Sequence, residues 1–166
     1  MPERIELTME NLLDKLAGEI RSPAGPGAIT KAFNETLIAE FRVNAGVVSG
    51  ELSQAPLLLL TTTGAKSGNQ RTTPLVYVAI DGRVLIVASK GGALQHPAWY
   101  LNVAANPAVH VELGAERYPA RAVVIDSVER DTLYAEVASR IPTFADYQRR
   151  TDRVIPLVEL QRTDVD

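Results

Sequence analysis

Residues 57–87 read LLLLTTTGAKSGNQRTTPLVYVAIDGRVLIV, and this stretch decides the fold. Its apolar and β-branched runs predict strands over 57–63, 72–80 and 83–88. The dipeptide Asp81-Gly82 between the last two runs is a strong signal for a two-residue β-hairpin. Strands that follow one another through turns, without helices between them, predict an antiparallel sheet.

The chain beyond this stretch extends the same pattern. A short helix over 97–105 is predicted from Pro97 at its start, and strands over 108–113 and 117–125 form a second hairpin. Asp126 or Ser127 caps a helix to about Arg140, and a last strand is expected over 154–160. About six mostly antiparallel strands with peripheral helices predict a mainly β, α+β fold in which the sheet curls into a small barrel.

The chain before this stretch predicts helices. Apolar residues recur at helical spacing from Ile5 to Ile20, and again from Ile29 to Phe41, where Asn44 and Gly46 end the second helix. We therefore divide the chain into an N-terminal helical extension, residues 1–54, and a barrel domain, residues 55–166. Packing of the extension on the barrel is favoured over a peripheral membrane contact, since its polar faces are acidic or mixed.

Composition excludes several classes of function. The 166 residues carry 17 basic and 20 acidic side chains, a net charge of −3, which is no footprint for nucleic acid. There is no cysteine and there are two histidines, so thiolate catalysis is excluded and no metal site is expected. The sequence shows neither a signal peptide nor a membrane-spanning run, which predicts a cytoplasmic protein.

The turn between the first two predicted strands is a candidate anion site. Gly64 and Gly68 free the backbone, and hydroxyls accompany the cations Lys66 and Arg71. Together these groups suit a phosphate or a carboxylate, although a strand rather than a helix follows, so this is not a P-loop. The alternative is a polar hairpin loop whose cations are only solvated.

Two further segments are candidates for the same site, and the first of them follows a neighbouring strand, so it can converge on this turn. Residues 87–93, VASKGGA, end a strand in a hydroxyl, a cation and two glycines, which permit a ligand to approach the backbone closely. In residues 96–102, HPAWYLN, Trp99 and Tyr100 offer flat faces to a ring system and Asn102 offers an amide. The alternative is that Trp99, the only tryptophan, fills the core.

The sequence lacks the usual signs of a self-sufficient catalyst. No GxSxG elbow surrounds Ser67 or Ser89, His110 alternates within a strand, and the carboxylates are scattered. A site of donors, cations and aromatic side chains without a strong acid or base is typical of a protein whose bound cofactor carries the hard chemistry.

Taken in order, these motifs resemble the deazaflavin-dependent nitroreductase family, whose coenzyme is F420. The resemblance runs from about Pro56 to Leu160 and rests on the following segments: LLTTTGAKSG at 59–68, RTTPL at 71–75, ASKGG at 88–92, PAWYLN at 97–102, ANP at 105–107, DYQ at 146–148 and TDR at 151–153.

The resemblance implies a split β-barrel related to pyridoxamine-oxidase-like proteins, and an enzyme that transfers hydride from reduced F420 to a quinone, enone or nitroaromatic compound. It implies that the phosphate and oligoglutamate tail meet Ala65, Lys66, Ser67 and Arg71. It also implies that the ribityl chain and ring are lined by Thr72, Thr73, Pro74, Leu75, Val76, Val87, Ala88, Ser89, Lys90, Gly91, Ala98, Trp99, Tyr100, Leu101 and Asn102.

The resemblance also bears on the acceptor side. Val76, Ile141 and Phe144 stand where aromatic hydroxyls are expected in members that activate nitro prodrugs, and Tyr147 remains. A small hydrophobic acceptor such as a quinone or enone is therefore expected, with Tyr147 or Tyr100 as catalytic residues. The alternatives are an F420 carrier without turnover and an FMN-dependent enzyme on the same barrel. A homo-oligomer stays open.

Overall fold

The computed structural model describes residues 26–50 and 53–164. The helix predicted between Ile5 and Ile20, together with the membrane contact considered for it, lies outside these ranges. The helix predicted from Ile29 to Phe41 is confirmed as α1, Pro26–Val43.

The six described strands close into one barrel, as the sequence predicts. Their order around the barrel is β1-β2-β3-β6-β5-β4, and every neighbouring pair is antiparallel. The strands are β1 Leu57–Thr63, β2 Gln70–Ile80, β3 Arg83–Val87, β4 Ala108–Leu113, β5 Glu116–Val124 and β6 Leu157–Arg162. The remaining helices are α2 Ala98–Ala105, α3 Ser127–Arg140 and α4 Thr143–Arg149, with a 3₁₀ turn at Lys90–Gly92.

The predicted turn and cap residues have the expected geometry. Asp81 and Gly82 both have positive φ, 51° and 77°, as a type I′ turn requires, and Ile80 pairs with Arg83 across it. Asp126 caps α3, because its carboxylate accepts a hydrogen bond from the Glu129 N–H at 3.2 Å.

Strand β1 separates two hydrophobic cores. Leu58 and Leu60 point into the barrel, where they pack in a cluster with Val111 and Val158. Leu57 and Leu59 point outwards into a second cluster, which we call the outer core. It is completed by side chains of the helices and of the neighbouring strands: Leu37, Phe41, Val76, Val78, Tyr134, Val137, Ile141, Phe144 and Tyr147. The uninterrupted apolar run of β1 follows from its burial on both faces.

The end of the chain differs from the prediction in two places. The last strand begins at Leu157 rather than Val154, because the Ile155 backbone bonds to the side chains of Gln148 and Arg130 instead of to a neighbouring strand. Helix α4 was not predicted. It is only seven residues long, and two turns are too few to show a helical period.

Helix α4 lies against the 3₁₀ turn. A Cβ atom built on Gly92 would lie 2.7 Å from the Tyr147 carbonyl oxygen and 2.9 Å from the Arg150 Cβ, both closer than normal contacts. Only a residue without a side chain permits this approach.

We expect Gly92→Ala to destabilise the fold more than Gly82→Ala. Both glycines have φ near +80°, so both substitutions incur the left-handed penalty of about 1–2 kcal/mol. Only at Gly92 does the new methyl group meet other atoms, which adds about 1–3 kcal/mol, whereas the space around Gly82 is open. Urea unfolding of the two variants measures the difference, and equal free energies of unfolding would contradict the close approach.

We also expect α1 to be needed for the stability of the barrel domain. Leu37 and Phe41 share the outer core with strands β1 and β2, and burial of each such side chain contributes about 1.5–3 kcal/mol. A chain that starts at Pro26 keeps Leu37 and Phe41 and serves as the reference for the comparison. One that starts at residue 55 should unfold at a much lower temperature than this reference, and calorimetry compares them. Equal melting temperatures for both would place the domain boundary at residue 55.

Candidate cofactor-binding and active site

Helix α2 is bonded to the turn after β1, so two of the three segments that the sequence predicts as a binding site meet here. Its Asn102 side chain accepts a hydrogen bond from the Ala65 N–H at 3.0 Å and donates one to the Thr62 hydroxyl at 3.1 Å. Asn106 donates to the Thr63 carbonyl at 3.4 Å. These bonds fix α2 against the end of β1 and against the glycine loop, which we define as residues 64–69.

These bonds change the role that the structure gives to two predicted residues. The Asn102 amide, expected to meet a ligand, is used on both sides within the protein, and the Ala65 N–H is used with it. Ser67 likewise uses its hydroxyl within the loop, where it accepts from the Asn69 N–H at 3.1 Å. In this structure these groups shape the loop that carries Lys66 and leads to Arg71 in β2.

The cations of the glycine loop region are uncompensated. Lys66 and Arg71 are exposed, and within residues 26–50 and 53–164 neither forms an ion pair. Arg42, Arg83 and Arg162, by contrast, each pair with a carboxylate. Two unpaired cations beside a glycine turn favour an anionic ligand.

The segment after β3 is strained. Lys90, Gly91 and Gly92 have consecutive positive φ values of 46°, 63° and 79°, and Ser89 before them is buried. Lys90 is not a glycine, so its backbone costs about 1–2 kcal/mol in this conformation. Such conformations persist only where the surroundings hold them, and they cluster at ligand sites.

Arg153 forms hydrogen bonds at both ends of this segment. In the sequence, Arg153 was noted only as part of the TDR motif at 151–153. Its Nη1 donates to the Ala88 carbonyl at 3.2 Å, its Nη2 to the Ser89 carbonyl at 2.7 Å and its Nε to the Ala93 carbonyl at 2.8 Å. Nη1 also lies 3.1 Å from Nδ1 of His96. The sequence signal for this bonding role of Arg153 is limited to its place two residues after Thr151, whose hydroxyl accepts from the Arg153 N–H.

The aromatic side chains divide between the core and the surface. Trp99 is buried in the barrel interior, which is the alternative given for it in the sequence, and Tyr100 is half-buried with its ring 4.7 Å from the His96 ring. Burial and the Arg153 charge lower the pKa of His96. Because a guanidinium only donates, Nδ1 of His96 is the acceptor, and the neutral ring carries its proton on Nε2.

The acceptor-side residues share one apolar cluster. Val76, Ile141, Phe144 and Tyr147 all belong to the outer core, and Tyr147 is only 1% exposed, edge-on to the Phe144 ring with Arg150 over its own ring. The other predicted lining residues range from exposed to buried: Ala98 and Leu101 are exposed, Thr72, Thr73 and Leu75 are half-buried, and Pro74, Val87 and Ala88 are buried.

Comparison with known proteins shows the family to which the chain belongs. The family model described as F420H(2)-dependent quinone reductase matches residues 35–162. The chain is 41% identical over 112 residues to an F420H(2)-dependent quinone reductase of Mycobacterium tuberculosis strain H37Rv, an alignment that covers 64% of this chain and 74% of that protein.

Two solved structures resemble the fold. One, described as an F420-H2 dependent reductase, FDR-A, is 43% identical with a TM-score of 0.58 and covers 64% of this chain and 94% of its own. Another, described as a domain-swapped dimer, is 39% identical with a TM-score of 0.61 and covers 76% and 93%.

The part of the chain that the structure describes contains no helix long and apolar enough to cross a membrane.

The family match spans more than half of the sequence, and the closed barrel agrees with the split β-barrel expected from the motifs. The chain belongs to the F420H(2)-dependent quinone reductase family and is an oxidoreductase whose cofactor is coenzyme F420.

Proposed function

We propose that reduced F420 binds across the glycine loop, residues 88–92 and helix α2, and that the enzyme reduces an apolar quinone or enone. The observation that carries this placement is a pair of exposed cations, Lys66 and Arg71, that have no ion-pair partner in the described part of the chain and lie beside a loop that Asn102 bonds to α2. Family membership favours F420 over FMN and favours turnover over storage of the cofactor.

The residues present fit the cofactor. A tail of phosphate and glutamates needs cations that are not already paired with a carboxylate. Among the residues that the structure describes, neither Lys66 nor Arg71 has such a partner. A flat ring needs close backbone and flat side chains, which the glycines of the 3₁₀ turn and the half-buried Tyr100 ring supply.

The acceptor is proposed to be apolar. Val76, Ile141 and Phe144 offer no hydrogen-bonding group, and all three lie in one cluster with Tyr147 beside the 3₁₀ turn. Such surroundings favour a quinone or enone over a polar nitro-heterocycle, because polar groups buried without partners cost free energy.

Bound F420H2 supplies the hydride, and the protein's own groups position the acceptor and supply a proton to its oxygen. Tyr100 is half-buried and its ring contacts the His96 ring, whereas Tyr147 is buried, so Tyr100 is the more accessible of the two predicted donors. Tyr147 is buried, so its contribution is proposed to be the shape of the acceptor side.

A homodimer is proposed as the assembly. The solved relative described as a domain-swapped dimer aligns with 76% of this chain, which supports pairing of this chain with a second copy. Membrane contact through the N-terminal region stays a prediction.

We expect Lys66→Ala combined with Arg71→Ala to weaken F420 binding at least tenfold. Each charge-assisted hydrogen bond to an anion contributes about 1.5–3 kcal/mol, and tenfold in affinity is about 1.4 kcal/mol. Fluorescence titration with F420 measures the loss, and a shortened glutamate tail should reproduce part of it. FMN and FAD, titrated in parallel, should bind the unaltered protein more weakly.

The matched control is Arg117→Ala combined with Arg121→Ala, which removes two exposed cations from β5. Its affinity for F420 should equal that of the unaltered protein. Equal losses in both double variants would assign the effect to net charge and would remove the glycine loop from the proposed site.

We expect Tyr100→Phe to lower turnover of an enone, whereas Tyr147→Phe should change the ratio of rates between acceptors. The first variant loses an accessible donor, and the second alters a buried side chain. Rates with reduced F420 and menadione, cyclohexenone or a nitroimidazole test both. Turnover of the nitroimidazole alone would contradict the apolar acceptor site, and an unchanged enone rate in Tyr100→Phe would exclude Tyr100 as donor.

A further inference from the structure

We propose that Arg153 is a positioning residue for cofactor binding: its guanidinium holds residues 88–96 in the strained shape that receives F420. The inference rests on the proposed function, since it takes this segment as part of the cofactor site. Arg153 itself touches the segment and not the reacting atoms, so its effect is transmitted through the backbone that it holds.

The first argument is the place of the hydrogen bonds. Arg153 donates to the carbonyls of Ala88 and Ser89, immediately before the three left-handed residues, and to that of Ala93, immediately after them. One planar fork therefore bridges both ends of the strained stretch. The guanidinium geometry suits this task because its five N–H donors have fixed directions.

The second argument is that Arg153 is itself held in place. Its carbonyl accepts a hydrogen bond from the Gln148 amide at 2.8 Å, and its N–H donates to the Thr151 hydroxyl at 3.2 Å. Gln148 in turn accepts from Arg130 at 2.6 Å. The Arg153 backbone is thus held by residues of α3 and α4. The position of residues 88–96 therefore depends on these two helices.

The third argument is charge. Within the described ranges Arg153 forms no ion pair, and its partners are three neutral carbonyls and the neutral His96 ring. A purely structural surface arginine commonly pairs with a carboxylate, as Arg83 does with Glu129 and Glu159. The positive charge of Arg153 therefore remains available beside Lys90, where an anionic ligand gains from it.

The experiment compares Arg153→Lys and Arg153→Gln with Arg83→Gln as the matched control. Lysine keeps the charge but cannot reach three carbonyls at once, so both Arg153 variants should raise the F420 dissociation constant at least tenfold. Arg83 lies at the start of β3, away from the 3₁₀ turn, and pairs with Glu129 and Glu159. Arg83→Gln should therefore lower the melting temperature and leave the F420 dissociation constant unchanged. Binding is measured by F420 fluorescence at a temperature where circular dichroism shows each variant folded.

Two further measurements separate positioning from stability. The KM for reduced F420 should rise about as much as the dissociation constant, while kcat at saturating F420 stays within about threefold. Millimolar methylguanidine should restore part of the F420 affinity in Arg153→Ala. It should leave the affinity of Arg83→Gln unchanged, because that variant is expected to have lost none.

The outcomes are decisive in either direction. Folded Arg153 variants that bind F420 as tightly as the unaltered protein overturn the inference. If the Arg153 variants do not fold, His96→Ala removes one partner of the fork, and an unchanged F420 affinity there overturns it as well. If the Lys66 and Arg71 double variant also keeps full affinity, the proposed site itself has failed, and the two failures are thereby distinguished.

Discussion

Strand β1 has no face towards solvent, and this constraint shapes the rest of the molecule. Leu58 and Leu60 fill the barrel while Leu57 and Leu59 fill the layer outside it, so the strand is stable only where the barrel and the helices are both present. The apolar run ends at Thr61–Thr63, where the strand leaves both cores. There a hydrogen bond from the Asn102 amide to the Thr62 hydroxyl holds the end of the strand in place of apolar contacts, and the glycine loop begins.

A polar network performs the corresponding task within the outer core, where the helices meet the segment before β6. Arg130 is buried, donates twice to the Ile155 carbonyl and stacks on the ring of Tyr134 at 4.2 Å. The Tyr134 hydroxyl donates to the Phe144 carbonyl at 2.7 Å, and burial raises the pKa of Tyr134 to about 12, so it stays a donor at neutral pH. The segment before β6 is thus bonded to helices rather than to strands.

The parts of the fold that local chemistry controls could be predicted from the sequence. Asp81-Gly82 and Asp126 act through their own backbone or the next few residues, so their turn and cap could be recognised without knowledge of the fold. Asn102 and Arg153 act on residues 37 to 65 positions away, and nothing in their neighbours shows that partner. The F420 motifs predict where the cofactor binds, and that placement stays a prediction. The atoms of Asn102 that were expected to meet a ligand bond to the protein.

The order of strands around the barrel has a consequence for the way the chain is made. Strand β6, residues 157–162, lies between β3 and β5, and it pairs with β3 about seventy positions earlier in the chain. Until these residues have been synthesised, the wall of a nascent barrel has an open seam with two unpaired strand edges. Exposed edges are templates for pairing with other chains. Closure of the seam is also a contact of high sequence separation, which is slow to form. The ribosome-bound chain is therefore most exposed to aggregation just before residues 157–162 have been synthesised.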